Sequence, residues 1–214
     1  MSRIFLLTLQ LINIGLINHM FTGIIESIGV VKAIEKSGTN IDFTIQSSIS
    51  HELKIDQSVA HNGVCLTVTE LADDWHKVTA VEETLIKTNL GQLQIDDITN
   101  LERCMIANGR FDGHIVQGHV DQTGTCTGKQ EKDGSWIFDF EYDAKIGNVT
   151  VEKGSICING ISLTCFNSAD GRFSVTIIPY TMGHTSFKNL QVGDTINLEF
   201  DIIGKYVSKI LNKK

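Results

Sequence analysis

The chain has 214 residues, of which 42% are hydrophobic and 20% charged, and this composition excludes a disordered or fibrous protein. Its formal net charge is −7, from 18 basic and 25 acidic side chains. Because no basic cluster longer than the last few residues is present, we expect no nucleic-acid partner.

Residues 1–19 are apolar and carry one charge, at Arg3. A basic start ahead of an apolar run is typical of a secretory signal, but polar residues such as Gln10 and Asn13 interrupt the run and no small-residue cleavage site follows. The segment is also too short and polar for a membrane span, so we expect no membrane partner. We interpret it as an N-terminal extension, disordered or an artefact of an upstream start, ahead of a second methionine at Met20.

The rest of the chain contains an internal duplication. Segment 61–68 (H-N-G-V-C-L-T-V) returns at 158–165 (I-N-G-I-S-L-T-C), an offset of 97 residues. The same offset pairs Thr84 with Thr181, and it pairs N-L-E at 100–102 with N-L-E at 197–199. A single ungapped offset over this length indicates two copies of one small domain.

Each copy is predicted to consist mainly of β-strands with one short helix. Alternation of apolar and polar residues, or enrichment in Val, Ile and Thr, predicts strands at 41–46, 64–71, 136–142 and 161–166. The helices are predicted at 82–89 and at 179–188, the second starting at the only proline, Pro179. Short strands with regular turns favour a closed barrel, because closure removes exposed sheet edges. We predict an all-β protein with one barrel at 20–104 and another at 105–201.

The last segment, 202–214, changes to a helical period. Ile203, Val207, Ile210 and Leu211 fall on one face of this predicted helix. A terminal helix with such an apolar stripe either docks on its own domain or meets copies of itself, and the sequence alone leaves both open. Gly204 is expected to let the chain bend into the helix.

The five cysteines include no C-x-x-C pair. A zinc site or a disulfide framework requires regular, close spacing, so we expect no metal site. Reduced thiols in a cytoplasmic protein are the simpler interpretation.

The chain contains M-F-T-G-I at 20–24, E-T-L at 83–85, T-N-L-G at 88–91, G-H-V at 118–120, I-P at 178–179 with Thr181, and D-I-I-G-K-Y at 201–206, together with the duplicated N-G-x-[CS]-L-T element. As an ordered set, these motifs resemble the riboflavin synthase α-chain family. The resemblance runs from Met20 to about Leu211, whereas residues 1–19 have no counterpart in it.

This resemblance implies two six-stranded closed barrels, each binding one 6,7-dimethyl-8-ribityllumazine, and a C-terminal helix that holds a homotrimer together. It implies an active site between the N-terminal barrel of one subunit and the C-terminal barrel of a neighbour. There, one lumazine donates a four-carbon unit to the other, giving riboflavin and 5-amino-6-(D-ribitylamino)uracil, the last step of riboflavin biosynthesis. The reaction needs no cofactor, because the lumazine ring is already electron-poor.

The resemblance assigns ligand-binding segments to both barrels. For the first barrel they are Gly23, Ile24, Ile25, Cys65, Leu66, Thr67, Thr79, Ala80, Val81, Glu82, Glu83 and Thr84. For the second barrel they are Lys153, Ser162, Leu163, Thr164, Thr176, Ile177, Ile178, Pro179, Tyr180 and Thr181. Most free cysteines are small buried hydrophobes, but for Cys65 the resemblance favours ligand contact, though not a nucleophilic role.

The catalytic candidates are His119, Ser58, Ser162 and Asp201. His119, within the Gly118-His119-Val120 motif also assigned to ligand binding, is the candidate base, since histidine titrates near neutral pH; a purely structural histidine is the alternative. His114 is expected to support it from outside the ligand contact. Some members of the family carry an acid where this chain has Asn159, so no carboxylate role is carried over there.

Two other classes of function compete with the enzyme. Non-enzymatic relatives of the family bind one lumazine or flavin as a light-emitting antenna and tend to lose the ligand motif of the second barrel. A plain interaction module would need neither motif. Both L-T motifs persist here, with Ser162 and Thr164 in the second, and this favours the enzyme.

Overall fold

The computed structural model describes residues 20–106 and 108–211. The interpretation of residues 1–19 as an extension therefore lies outside the described residues, as does the end of the segment predicted to be helical at 202–214. Within the described ranges the chain forms two closed antiparallel barrels of six strands each, which confirms the predicted fold.

The first barrel closes in the order β1-β2-β5-β4-β3-β6. Its strands are β1 (Ser27–Ser37), β2 (Asn40–Gln46), β3 (Ser58–His61), β4 (Val64–Leu71), β5 (Trp75–Ala80) and β6 (Ile98–Arg103). Helix α1 (Glu82–Lys87) and a 3-10 turn (Asn89–Gln92) connect β5 to β6, and another 3-10 turn (Ser50–Glu52) precedes β3.

The second barrel repeats this topology, closing as β7-β8-β11-β10-β9-β12. Its strands are β7 (Gln122–Lys132), β8 (Ser135–Tyr142), β9 (Ser155–Ile158), β10 (Ile161–Ala169), β11 (Arg172–Ile177) and β12 (Thr195–Phe200). Two 3-10 turns (Ala144–Ile146 and Ser186–Lys188), helix α2 (Pro179–His184) and the terminal helix α3 (Ile202–Leu211) complete it. Gly204 lies inside α3, so the expectation that it bends the chain ahead of the helix was wrong.

The short helices end earlier than the sequence predicted, and for the same reason in both copies. Thr88 and Thr185 adopt extended backbone conformations directly after α1 and α2. Each hydroxyl donates to a carbonyl of the preceding helix and accepts the N–H of the 3-10 turn that follows. A threonine hydroxyl competes in this way with continued helical hydrogen bonding.

Side-chain alternation along the strands divides each barrel into a filled interior and an outer wall. In β4, Val64, Leu66 and Val68 point into the core of the first barrel, whereas Cys65 and Thr67 lie on the opposite face and are partly or fully exposed. The side chains of β10 alternate in the same way near its start, since Ser162 and Thr164 lie outside. The barrels are therefore packed cores, and any ligand must bind on their outer walls.

Four asparagines join the two barrels about a pseudo-twofold axis. Asn62 and Asn159 take left-handed backbone conformations, with φ of 47° and 46°, and their side-chain oxygens accept the N–H groups of Asn100 and Asn197. Asn100 in turn donates its amide to the carbonyl of Asn159 at 2.8 Å, and Asn197 donates to Asn62 at 2.9 Å. The N-G dipeptides of the repeat therefore form part of the contact between the barrels.

The barrels differ in one buried polar chain. In the first barrel, Nδ1 of His61 donates to the Val59 carbonyl, so its Nε2 accepts from Nε2 of His76 at 2.9 Å, and Nδ1 of His76 accepts from the Ser50 hydroxyl. Burial lowers the pKa of His61 well below its usual value, and it lowers the pKa of His76 to about 4. At the equivalent positions of the second barrel stand Ile158 and Phe173, both in its apolar core.

This difference predicts an acid-sensitive first barrel. Since the unfolded state binds protons at histidine near pH 6.5 and the folded state only at lower pH, stability is lost as pH falls from about 6.5 toward 4. His76 alone contributes on the order of 2–3 kcal/mol to this loss. The variant His61→Ile/His76→Phe/Ser50→Ala copies the apolar pair of the second barrel and removes the serine hydroxyl that would lose its partner. In this variant the free energy of unfolding should decrease less as the pH falls. Chemical unfolding between pH 4 and 7.5 measures the free energy of unfolding of both proteins. If this free energy depends on pH equally in the two proteins, the prediction is contradicted.

Candidate functional site

Each barrel is preceded by an arm that crosses to the other barrel. The first arm is residues 20–26 and the second arm is residues 115–121; they meet at an antiparallel bridge between Phe21 and Val116. The carbonyl of Gly23 accepts the Ser162 N–H of the second barrel at 2.8 Å, and the carbonyl of Gly118 accepts the Cys65 N–H of the first barrel at 2.9 Å.

The crossing corrects one sequence-based assignment. Gly23, Ile24 and Ile25 were expected beside the first barrel's pocket, but the first arm contacts the wall of the second barrel, and Ile25 packs against that barrel's core. Val120 of the second arm likewise packs against the core of the first barrel. Sequence position suggested the wrong partner because nothing in a local pattern shows that a strand leaves its own barrel.

The second barrel carries a cavity of about 360 Å³ on its outer wall. Seven of the residues assigned to ligand binding line it, together with Phe166: Lys153, Ser162, Leu163, Thr164, Thr176, Ile178 and Thr181. The Lys153 ammonium lies 5.5 Å from the centre of the Phe166 ring. The lining of the cavity thus combines the hydroxyl groups of serine and threonine with three apolar side chains and one ammonium group.

Not every assigned residue presents its side chain to the site. Ala80 and Ile177 are fully buried in their barrel cores and offer only backbone groups. Val81 and Ile178, directly ahead of α1 and α2, are by contrast half exposed, at 50% and 55%. An exposed branched apolar side chain at the same place in both barrels provides a surface against which a flat ring can pack.

On the second barrel's wall, the sequence-predicted Ser162 has a histidine partner. Nδ1 of the buried His114 lies 2.7 Å from the Ser162 hydroxyl oxygen. Burial lowers the pKa of His114, and the nearby Asp201 carboxylate opposes part of that shift. Asp201 also accepts the Ile203 N–H at the start of α3. His114, expected only in a supporting role, therefore has a direct hydrogen bond with Ser162.

The other two catalytic candidates lie elsewhere. His119 is on the second arm, its backbone N–H donated to Glu199 and its side chain exposed. Ser58 is buried in β3 and forms hydrogen bonds with the thiols of Cys65 and Cys104. Burial raises the pKa of both thiols, that of Cys104 to about 12.

Two buried glutamates were missed by the sequence analysis. Glu102 and Glu199 accept backbone N–H groups from the first and second arm respectively. Burial raises the pKa of each carboxyl to about 7, and the hydrogen bonds from the arms oppose this. The sequence carries their signal as the repeated N-L-E triplet at 100–102 and 197–199.

A sequence profile described as "Lumazine binding domain" matches residues 22–104 and 117–201. One match falls on each barrel, so fold and sequence define the same class of protein, a tandem of two such domains. Among curated relatives, the riboflavin synthase of Bacillus amyloliquefaciens is 40% identical and that of Actinobacillus pleuropneumoniae 41% identical, each over 91% of both chains. The riboflavin synthase of Schizosaccharomyces pombe is 39% identical over 90% of this chain and 94% of its own. The chain therefore belongs to the riboflavin synthase family.

Solved structures agree on the fold. LumP complexed with riboflavin gives a TM-score of 0.77 at 20% identity, and LumP complexed with 6,7-dimethyl-8-(1'-D-ribityl) lumazine gives 0.75 at 19%, each over 84% of this chain and 98% of that one. At this identity the likeness shows the shared architecture alone. Among the described residues, no helix combines the length and apolar character needed to cross a bilayer.

Proposed function

We propose that the chain is a riboflavin synthase, a transferase that moves a four-carbon unit between two 6,7-dimethyl-8-ribityllumazine molecules to give riboflavin and 5-amino-6-(D-ribitylamino)uracil. The observation that carries this is that the chain is about 40% identical, over nearly its whole length, to riboflavin synthases, and that seven of the residues assigned to ligand binding line one cavity of the second barrel. Because two identical substrates exchange atoms, the reaction balances without an external oxidant or reductant.

The walls of the two sites suit this chemistry. One lumazine must lose a proton from its C7 methyl group and the other must accept carbon at C7, so the protein has mainly to align two rings. Alignment alone supplies roughly 7–11 kcal/mol of barrier reduction. Val81 and Ile178 would support the rings, while the hydroxyls of Thr67, Ser162 and Thr164 would orient the polar groups. The other assigned ligand residues stay part of this proposal.

Proton transfer is assigned to the histidines. His119 is the proposed base; its exposure suits a group that a second subunit and its lumazine would cover. The hydrogen bond between His114 and Ser162 supports a further role, in which His114 orients the Ser162 hydroxyl toward the lumazine bound on the wall of the second barrel. Ser58 is proposed to assist at the acceptor ring, and Asp201, the carboxylate near His114, is proposed to lie close to the contact between subunits.

The first test is the reaction itself. Purified protein incubated with the lumazine alone should form riboflavin and bind two lumazines per chain. An antenna protein would bind ligand without turnover. The assay follows riboflavin fluorescence in the absence of any added cofactor. Stoichiometric binding with no riboflavin formed would leave only the antenna function.

The second test concerns the base. His119→Gln should lower single-turnover riboflavin formation by about 10²–10⁴-fold, the range of general-base losses, while lumazine affinity is kept. His114→Gln should also slow the single turnover, because Ser162 loses its partner. His51→Gln, an exposed histidine beside Glu52, serves as control and should leave the rate unchanged. An unaltered rate in His119→Gln would remove the histidine from this role.

Assembly follows from the terminal helix. The apolar side chains of α3 are exposed to solvent in the single chain: Ile203 is 62% exposed, Ile210 67% and Leu211 73%. The helix is fixed at its start, where Lys205 pairs with Asp121 at 2.6 Å. These exposures favour self-association over docking on the chain's own barrel, and we propose a homotrimer in which sites on different subunits face each other. All five cysteines are free thiols, which supports a reducing, cytoplasmic location.

Deleting residues 203–214 tests this assembly. The shortened protein should be a monomer that still binds lumazine but forms little riboflavin, since a short helix of this kind gains its stability by packing. Sedimentation and turnover at matched concentrations measure both. Mixing two inactive full-length variants, one altered at Cys65 and Thr67 and one at Ser162 and Thr164, should restore some activity through mixed trimers. Full activity of the deleted protein as a monomer at high dilution would place the whole site within one chain.

A further inference from the structure

Glu102 and Glu199 occupy equivalent positions on β6 and β12, and both are almost fully buried. A carboxylate in such a place is unfavourable unless hydrogen bonds replace its lost water. Oε1 of Glu102 accepts the Thr22 N–H at 2.7 Å and the Thr22 hydroxyl at 2.9 Å, and its Oε2 accepts the Gly23 N–H at 2.9 Å. Every one of these donors belongs to the first arm.

Glu199 makes the same arrangement with the second arm. Its Oε1 accepts the Gln117 N–H at 2.6 Å, and its Oε2 accepts the N–H groups of Gly118 and His119, both at 2.9 Å. The two carboxylates thus hold two peptide segments by their backbone, which is a rigid attachment because the donors have no rotatable side chain. Only the Thr22 hydroxyl adds a side-chain donor.

The segments held in this way contact the opposite barrel. Gly23, fixed by Glu102, contacts Ser162 so closely that a Cβ at Gly23 would lie 2.6 Å from the Ser162 Cβ. Gly118, fixed by Glu199, stands equally close to Cys65, whose Cβ would lie 2.6 Å from a Cβ at Gly118. Each glutamate therefore connects its own barrel to one wall of the other barrel's site.

We propose that Glu102 and Glu199 are crossed positioning residues: Glu102, in the first barrel, sets the lumazine site of the second barrel, and Glu199, in the second barrel, sets the site of the first. The assignment rests on the proposed function, because it takes Ser162 and Cys65 as parts of the two ligand sites. It predicts that damage to one barrel's glutamate appears as weaker binding in the other barrel.

The test measures each site separately in the full chain. A bulky residue at matched outer-wall positions, Thr164→Trp or Thr67→Trp, closes the second or the first site and leaves one riboflavin bound per chain. With the second site closed, Glu199→Gln should weaken riboflavin binding by at least about tenfold, equivalent to about 1.4 kcal/mol, and Glu102→Gln should not. With the first site closed, Glu102→Gln should weaken riboflavin binding and Glu199→Gln should not. Fluorescence titration gives each affinity.

A milder pair of variants separates positioning from folding. Thr22→Val removes one bond to Glu102 and should weaken the second site alone, whereas Thr22→Ser, which keeps the hydroxyl, should restore it. Gln117→Ala is the matched control, since Gln117 reaches Glu199 through its backbone, and it should leave both affinities unchanged. The proposal would be overturned if riboflavin affinity fell only at the site of the barrel that contains the mutated glutamate, or fell equally at both sites. If both Trp variants bind as much riboflavin per chain as the unaltered protein, the assigned sites themselves are wrong, which is a different outcome.

Discussion

The architecture depends on the hydrogen bonds that four asparagines exchange between the barrels. Asn62 and Asn159 each close a left-handed corner and satisfy a strand N–H of their own barrel, while Asn100 and Asn197 donate across the axis. Left-handed backbone is strained for most residues but tolerated by asparagine, whose side chain bonds locally. The following glycines then pass so closely that a Cβ on Gly63 would lie 2.6 Å from the Gly160 nitrogen. With the barrels fixed in this way, the arms have a defined wall to reach.

The duplicated backbone carries different chemistry in its two copies. At the 97-residue offset Cys65 corresponds to Ser162, Cys104 to Asp201 and Asp56 to Lys153. Asp56 and Lys153 share the same left-handed conformation, so the change of charge occurs without a change of chain path. One wall therefore holds high-pKa thiols and the other a serine beside a histidine and a carboxylate. A reaction in which one substrate gives and its twin receives benefits from this asymmetry, because identical sites would treat the two molecules alike.

Much of the fold could be predicted from the sequence, because period-two alternation and an ungapped repeat are local signals. The strands 64–71 and 161–166 and the two barrels followed directly. Three features could not be predicted: the crossing of the arms, the hydrogen bond between His114 and Ser162, and the His61–His76 pair. Each joins residues that are separated in the chain and share no sequence pattern. The repeat showed that Glu102 has an equivalent in the second copy, but a sequence does not distinguish a buried carboxylate from a solvated one.

The crossed arms also fix the order in which the protein can be completed during synthesis. The first barrel ends at Arg103 and has all its strands before the second barrel exists, yet the wall that its arm must join, at Ser162, is made much later. Contacts between residues so distant in the chain form slowly, because a long loop must be closed first. Until β10 has been made, the Gly23 carbonyl lacks the Ser162 N–H that it accepts in the finished chain, although Glu102 of the first barrel already offers its carboxylate to the N–H groups of Thr22 and Gly23. The first half therefore contains the group that holds its arm, but the contact with the second barrel must wait until the second half of the chain is made.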